Sequence, residues 1–109
     1  MYSMICQNYG FNQDINSWDT SSVTTMHEIF YQCSVFNNPI NSWNTSSVTT
    51  MYSMFYQNYV FNQYINSWDP SGVTTMLDMF FQCTYFINPL YTWNTSTFTS
   101  MHTISCPLN

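Results

Sequence analysis

Four cysteines, two histidines, five carboxylates and nine tyrosines carry the titratable chemistry of this 109-residue chain, which has no lysine or arginine. A thiolate set with imidazoles would hold zinc, but no Cys-x-x-Cys pair occurs and His27 and His102 lie far apart in sequence. A nucleophile–base–acid site needs its three groups within hydrogen-bond reach, and nothing singles out one serine among 14. Asp19 and Asp69 alternate with Asn44 and Asn94, a pattern open to calcium or to side-chain-capped turns. Asn44-Thr45-Ser46 and Asn94-Thr95-Ser96 are N-glycosylation sequons, no more than this composition delivers by itself.

The charge balance removes whole classes of function. A net charge of −5 without one basic side chain cannot neutralise a phosphate backbone, so nucleic-acid binding is excluded, as is attraction to anionic lipid. Lysine- and arginine-dependent phosphoryl transfer and Schiff-base chemistry are excluded with them. No apolar run exceeds three residues, so the chain contains neither a membrane-inserting span nor a leader core. Polarity comes from 14 Ser, 14 Thr and 13 Asn, and 20% aromatic content supplies a core to bury.

What must position these groups is a repeat. Met1, Met26, Met51, Met76 and Met101 recur every 25 residues, dividing a single domain, 1–109, into units 1–25, 26–50, 51–75 and 76–100 with a partial 101–109. Trp18, Trp43, Trp68 and Trp93 keep the same spacing, as do Phe11, Phe36, Phe61 and Phe86 and the column Ile15, Ile40, Ile65, Leu90. A fixed period of this length predicts an α/β repeat solenoid: stacked coils of short parallel strand, turn and short helix, period 25. Met26, Ile29, Phe30 and Cys33 fall at i, i+3, i+4 and i+7, the face of a two-turn helix capped by Ser22 or Thr24. The stretch around Ile15 reads as an extended segment pairing with Ile40 and Ile65, and Asp19 to Ser22 as the turn between. A second period of 50 overlies the first, as in the alternation Asn8, Cys33, Asn58, Cys83.

Stacking at about 4.8 Å per coil then sorts the chemistry. Cys33 and Cys83 stand two coils, about 10 Å, apart, too far to bridge. Cys6 with Cys33, and Cys83 with Cys106, lie on adjacent coils and leave a disulfide open, against the alternative of buried apolar thiols. Asp19 and Asp69 are equally far apart, which favours turn-forming carboxylates over a calcium site. No catalytic, metal or cofactor-binding residue is assigned, and the chain reads as non-enzymatic. The core ladder is Trp18, Trp43, Trp68 and Trp93 with Met26, Met51 and Met76.

The string FNQDINSWDTSSVTTMHEIF from Phe11, and its copy FNNPINSWNTSSVTTMYSMF from Phe36, resembles the bacterial surface-protein repeat of 25–26 residues. That is the BspA-like, lipoprotein-associated branch of leucine-rich-repeat solenoids. The resemblance implies an extracellular, non-enzymatic solenoid of adhesion or surface architecture, and it transfers no catalytic residue. Relative to that pattern the chain lacks basic residues and has Tyr91-Thr92 in place of Asn-Ser.

Tyrosines outside the core columns, Tyr31, Tyr56, Tyr59 and Tyr64 among them, are candidates for a binding face, since tyrosine joins an apolar body to a polar tip. No polar capping unit is visible, so the sequence reads as a length of rod with adhesive ends. The functional expectation is a structural protein, a segment or subunit of a surface fibre or stalk propagated by coil stacking, with end-to-end self-association. The alternative is a cell-surface adhesin module that binds host matrix protein or glycan through its tyrosines. Either places it outside the cell or on its surface, with any signal or anchor outside this chain.

Overall fold

The fold is taken from a computed structural model, which describes residues 4–88 and Trp93. The expected α/β solenoid is not what forms: the described residues contain no helix, and pairing of strand type is confined to the parallel bridges Thr25–Thr50 and Thr50–Thr75. The 25-residue period instead builds a compact body of stacked layers, each made of tight turns and irregular extended segments.

The segment expected to be helical shows why. From Met26 to Cys33 the amide donors split by parity. Met26, Glu28, Phe30 and Gln32 donate to the Thr50, Tyr52, Met54 and Tyr56 carbonyls of the following layer at 2.7–3.0 Å. Ile29, Tyr31 and Cys33 donate three residues back, to Met26, Glu28 and Phe30. The same division recurs from Met51 to Asn58. An α-helix spends every amide within itself and is about 10–12 Å across, whereas equivalent rings here lie 4.7 Å (Tyr31–Tyr56) to 6.4 Å (Trp18–Trp43) apart from one layer to the next. A ribbon of consecutive tight turns fits that spacing and a helix does not. Met26, Ile29, Phe30 and Cys33 are all fully buried, so the apolar face is the anticipated one on a different backbone.

Every second turn of the ribbon places a left-handed residue at its third place. Glu28, Gln32, Ser53, Gln57, Asp78 and Gln82 supply it at φ of 50–58°, and Gln7 does so in the first layer. None is glycine, although a side chain in that region costs roughly 1–2 kcal/mol. A Glu28→Gly substitution removes that cost and adds about 0.5–1 kcal/mol of backbone entropy loss, so it should leave stability unchanged or slightly raised. Glu28→Val, β-branched at φ 57°, should lower it by about 2 kcal/mol or more. Urea midpoints of the two variants check the pair; a loss with glycine larger than with valine contradicts the turn assignment.

The extended segments around Ile15, Ile40 and Ile65 do not pair backbone to backbone as expected, because side-chain amides take over. Asn12 Oδ1 accepts from the Asn37 N–H (2.9 Å), Asn37 Oδ1 from Asn62 (2.9 Å) and Asn62 Oδ1 from Ile87 (3.0 Å). Asn16 Oδ1 accepts from the Ser42 N–H, whose hydroxyl also donates to the Asn16 carbonyl. Thr20 and Thr45, buried at the next corner, each accept from and donate to the backbone of the following layer.

The core lies between the turn ribbon and these extended segments. Phe30 stacks on Phe36 at 4.3 Å within its layer and on Phe55 at 5.5 Å in the next. Phe55 repeats this with Phe61 at 4.2 Å and Phe80 at 5.5 Å. Trp18, Trp43 and Trp68 lie in file, 6.4 and 6.3 Å apart with planes within 9° and 3°. Each of the latter two indoles donates Nε1–H to a carbonyl of the preceding layer, Trp43 to Ile15 (2.9 Å) and Trp68 to Ile40 (3.0 Å). The expected rod is not formed: the body measures 35 × 31 × 21 Å, because a few layers at about 5 Å each make a stack less tall than one layer is wide. Trp93 is buried; the rest of the fourth unit beyond residue 88, with Asn94, and the partial unit 101–109, with His102 and Cys106, lie outside the described residues.

Candidate functional site

The tyrosines named from the sequence divide between places. Tyr31 and Tyr56 belong to one column, stacked at 4.7 Å and continued by Phe81 at 4.7 Å, half-buried and committed to one another. Beside them Gln7, Gln32, Gln57 and Gln82 form a head-to-tail amide ladder, each Nε2 donating to the next Oε1 at 2.9, 2.7 and 2.6 Å. Tyr59 is exposed on this edge, whereas Tyr64, also exposed, falls in the column of Asp14 and Pro39.

An open recess of about 110 Å³ lies on the ladder edge, lined by Tyr9, Gln32, Ser34, Gln57 and Tyr59. Tyr9, Ser34, Tyr59 and Thr84 share one column, so two tyrosines flank a serine on the layer between them. Sequence reasoning passed over Tyr9, Ser34 and the glutamines. The signal was the 50-residue alternation, which makes this column run large, small, large, small.

The remaining chemistry-bearing residues are structural where they are described. Asp19 Oδ1 accepts from both the N–H and the hydroxyl of Ser21 (3.0 and 2.6 Å), and Asn44 does the same with Ser46 (3.0 and 2.7 Å). The Ser21 hydroxyl, then its amide, hold the Asp19 carboxyl below its usual range, and Ser71 does so for Asp69. Asn44 itself is exposed. His27 packs edge-on to Tyr52 at 5.1 Å and lies 3.4 Å from the Glu28 carboxylate. Among the described residues no three His, Cys, Asp or Glu side chains gather as metal ligands.

No disulfide joins the described cysteines. Cys33 and Cys83 are buried and donate their S–H to the Ile5 and Phe55 carbonyls (3.0 and 2.8 Å). Burial pushes the Cys33 thiol up to about 11. Because this lies above the unfolded value, the neutral thiol's contribution is whole below about pH 8.5 and is lost as pH rises through 11. Denaturation midpoints should therefore fall between pH 9 and 11 by about 2 kcal/mol, and a Cys33→Ala chain should show a smaller fall. At pH 8 the native chain should leave Cys33 unalkylated while half-buried Cys6 reacts slowly, its thiol raised by burial and then by Glu28.

These features define a compact domain of stacked turn layers, held by side-chain ladders and carrying one aromatic–amide recess on a described edge. Residues 1–105 match the family described as Mycoplasma protein of unknown function, DUF285, and the chain belongs to that family. This corrects the resemblance to BspA-like leucine-rich-repeat proteins, for which no match is found. No curated protein and no solved structure matches the chain.

Proposed function

We propose that this chain is a non-enzymatic structural protein whose layers serve as a template for further layers of the same kind, extending a fibre or stalk outside the cell. One observation carries this reading. Phe11, Trp18 and Val23 of the first layer are only half-buried, whereas their equivalents Phe36, Trp43 and Val48 in the next are covered. The complement of that face in shape and register is another copy of the layer that already covers it on its other side. An identical layer would bring an Ile15-type carbonyl for the Trp18 indole, as Trp43 and Trp68 receive. In-register glutamine and aromatic ladders are themselves features that propagate in stacked assemblies, and with five charges in the chain there is little repulsion to oppose addition.

Sedimentation velocity across a concentration series, with negative-stain microscopy of the same samples, tests it. Concentration-dependent linear assemblies are expected for the parent chain, and a Trp18→Glu variant should lose them while keeping the fold. A parent chain that stays monomeric throughout contradicts the proposal. Placement outside the cell rests on the uncharged hydroxyl- and amide-rich surface and is tested separately, by labelling intact source cells with an impermeant reagent.

A further inference from the structure

We propose that the Tyr9–Ser34–Tyr59 recess is a binding slot for a single neutral pyranose ring. The inference is independent of layer addition and rests on the shape, wall chemistry and charge of the recess. Its volume, about 110 Å³, falls well below the roughly 300–1,000 Å³ of pockets for drug-sized ligands, so it takes no more than one ring. The walls come from Tyr9 and Tyr59, one layer to either side of Ser34, whose small side chain opens the gap. In the adjoining column Tyr31, Tyr56 and Phe81 carry rings on three successive layers, 4.7 Å apart.

The chemistry of the walls discriminates between ligands. A saturated chair has hydrogens standing off both faces, and these C–H groups are the natural partners of electron-rich tyrosine rings. Gln32 and Gln57 supply the polar rim. The ladder occupies one N–H of each amide and one acceptance at each carbonyl, which leaves each a second N–H and a second lone pair for ring hydroxyls. Lysine and arginine are absent from the whole chain, so a sulfated, phosphorylated or carboxylated sugar would find no cation.

Isothermal titration or saturation-transfer NMR of the full chain with methyl glycosides of glucose, galactose and mannose tests the assignment, with p-cresol and a methyl glucuronide alongside. At least one neutral glycoside should bind saturably in the millimolar range expected of one-ring ligands, more tightly than either control. Ser34→Tyr, which fills the gap with the ring that the neighbouring column already tolerates, should weaken it at least tenfold. Tyr59→Ala should do likewise and Tyr59→Phe should retain most binding, with circular dichroism confirming that each variant is folded. No saturable binding of any neutral glycoside to 50 mM, tighter binding of p-cresol, or affinity unchanged in folded Ser34→Tyr overturns the proposal.

Discussion

A Phe55→Ala chain should lose about 3–5 kcal/mol of stability, the range for emptying a buried aromatic site. Phe55 sits at the crossing of the two ring stacks, 4.2 Å from Phe61, 5.5 Å from Phe30 and from Phe80, and 6.4 Å from Trp68. Phe30 and Trp68 are held by interlayer hydrogen bonds, which limits collapse into the space. Since domains of this size are stable by about 5–15 kcal/mol, the variant should melt at least about 12 °C below the parent, with part of the population unfolded at room temperature if the parent is marginal. Phe11→Ala, in the half-buried first layer, should cost about 1–2 kcal/mol by the area it buries. Equal losses at the two positions would mean that the layers are not arranged as described.

Asn58→Cys should act in the opposite direction. Asn58 is fully buried, and neither Oδ1 nor Nδ2 has a hydrogen-bond partner. In the layers before and after, the same column holds Cys33 and Cys83, whose thiols reach carbonyls 28 residues back. A thiol at 58 would meet the Phe30 carbonyl by that offset and remove a stranded amide, which costs about 1–3 kcal/mol. The variant should therefore be more stable by about that amount in urea, with an unchanged m-value. A less stable Asn58→Cys chain would show that the amide is satisfied in solution.

The buried set was legible in the sequence, and the backbone that buries it was not. Spacing of i, i+3, i+4 and i+7 identifies Met26, Ile29, Phe30 and Cys33 as one inward face, because two consecutive tight turns advance the chain much as a helical turn does. The feature separating the two backbones is a left-handed residue at the third place of every second turn. Here Glu28, Ser53, Asp78 and four glutamines occupy those places, where glycine or asparagine would have announced a turn. The chain's two glycines, Gly10 and Gly72, carry no such angle.

The strand expectation failed for a related reason. Asn12, Asn37 and Asn62 read as loop residues, yet their side-chain carbonyls stand in for the backbone acceptors of a sheet. The recess was hidden because alternation at 50 residues was followed at the cysteine column and not one position further, where Tyr9, Ser34 and Tyr59 fall.

The account depends on each layer lying directly over the one 25 residues earlier. NOESY spectra of chain labelled only at tryptophan address this without reference to function. With Trp18–Trp43 and Trp43–Trp68 ring centroids 6.4 and 6.3 Å apart, cross-peaks should join the indole protons of each successive pair. None should join Trp18 to Trp68, two layers away. Missing neighbour cross-peaks in the folded chain, or a strong Trp18–Trp68 peak, would contradict the stacking on which the rest is built.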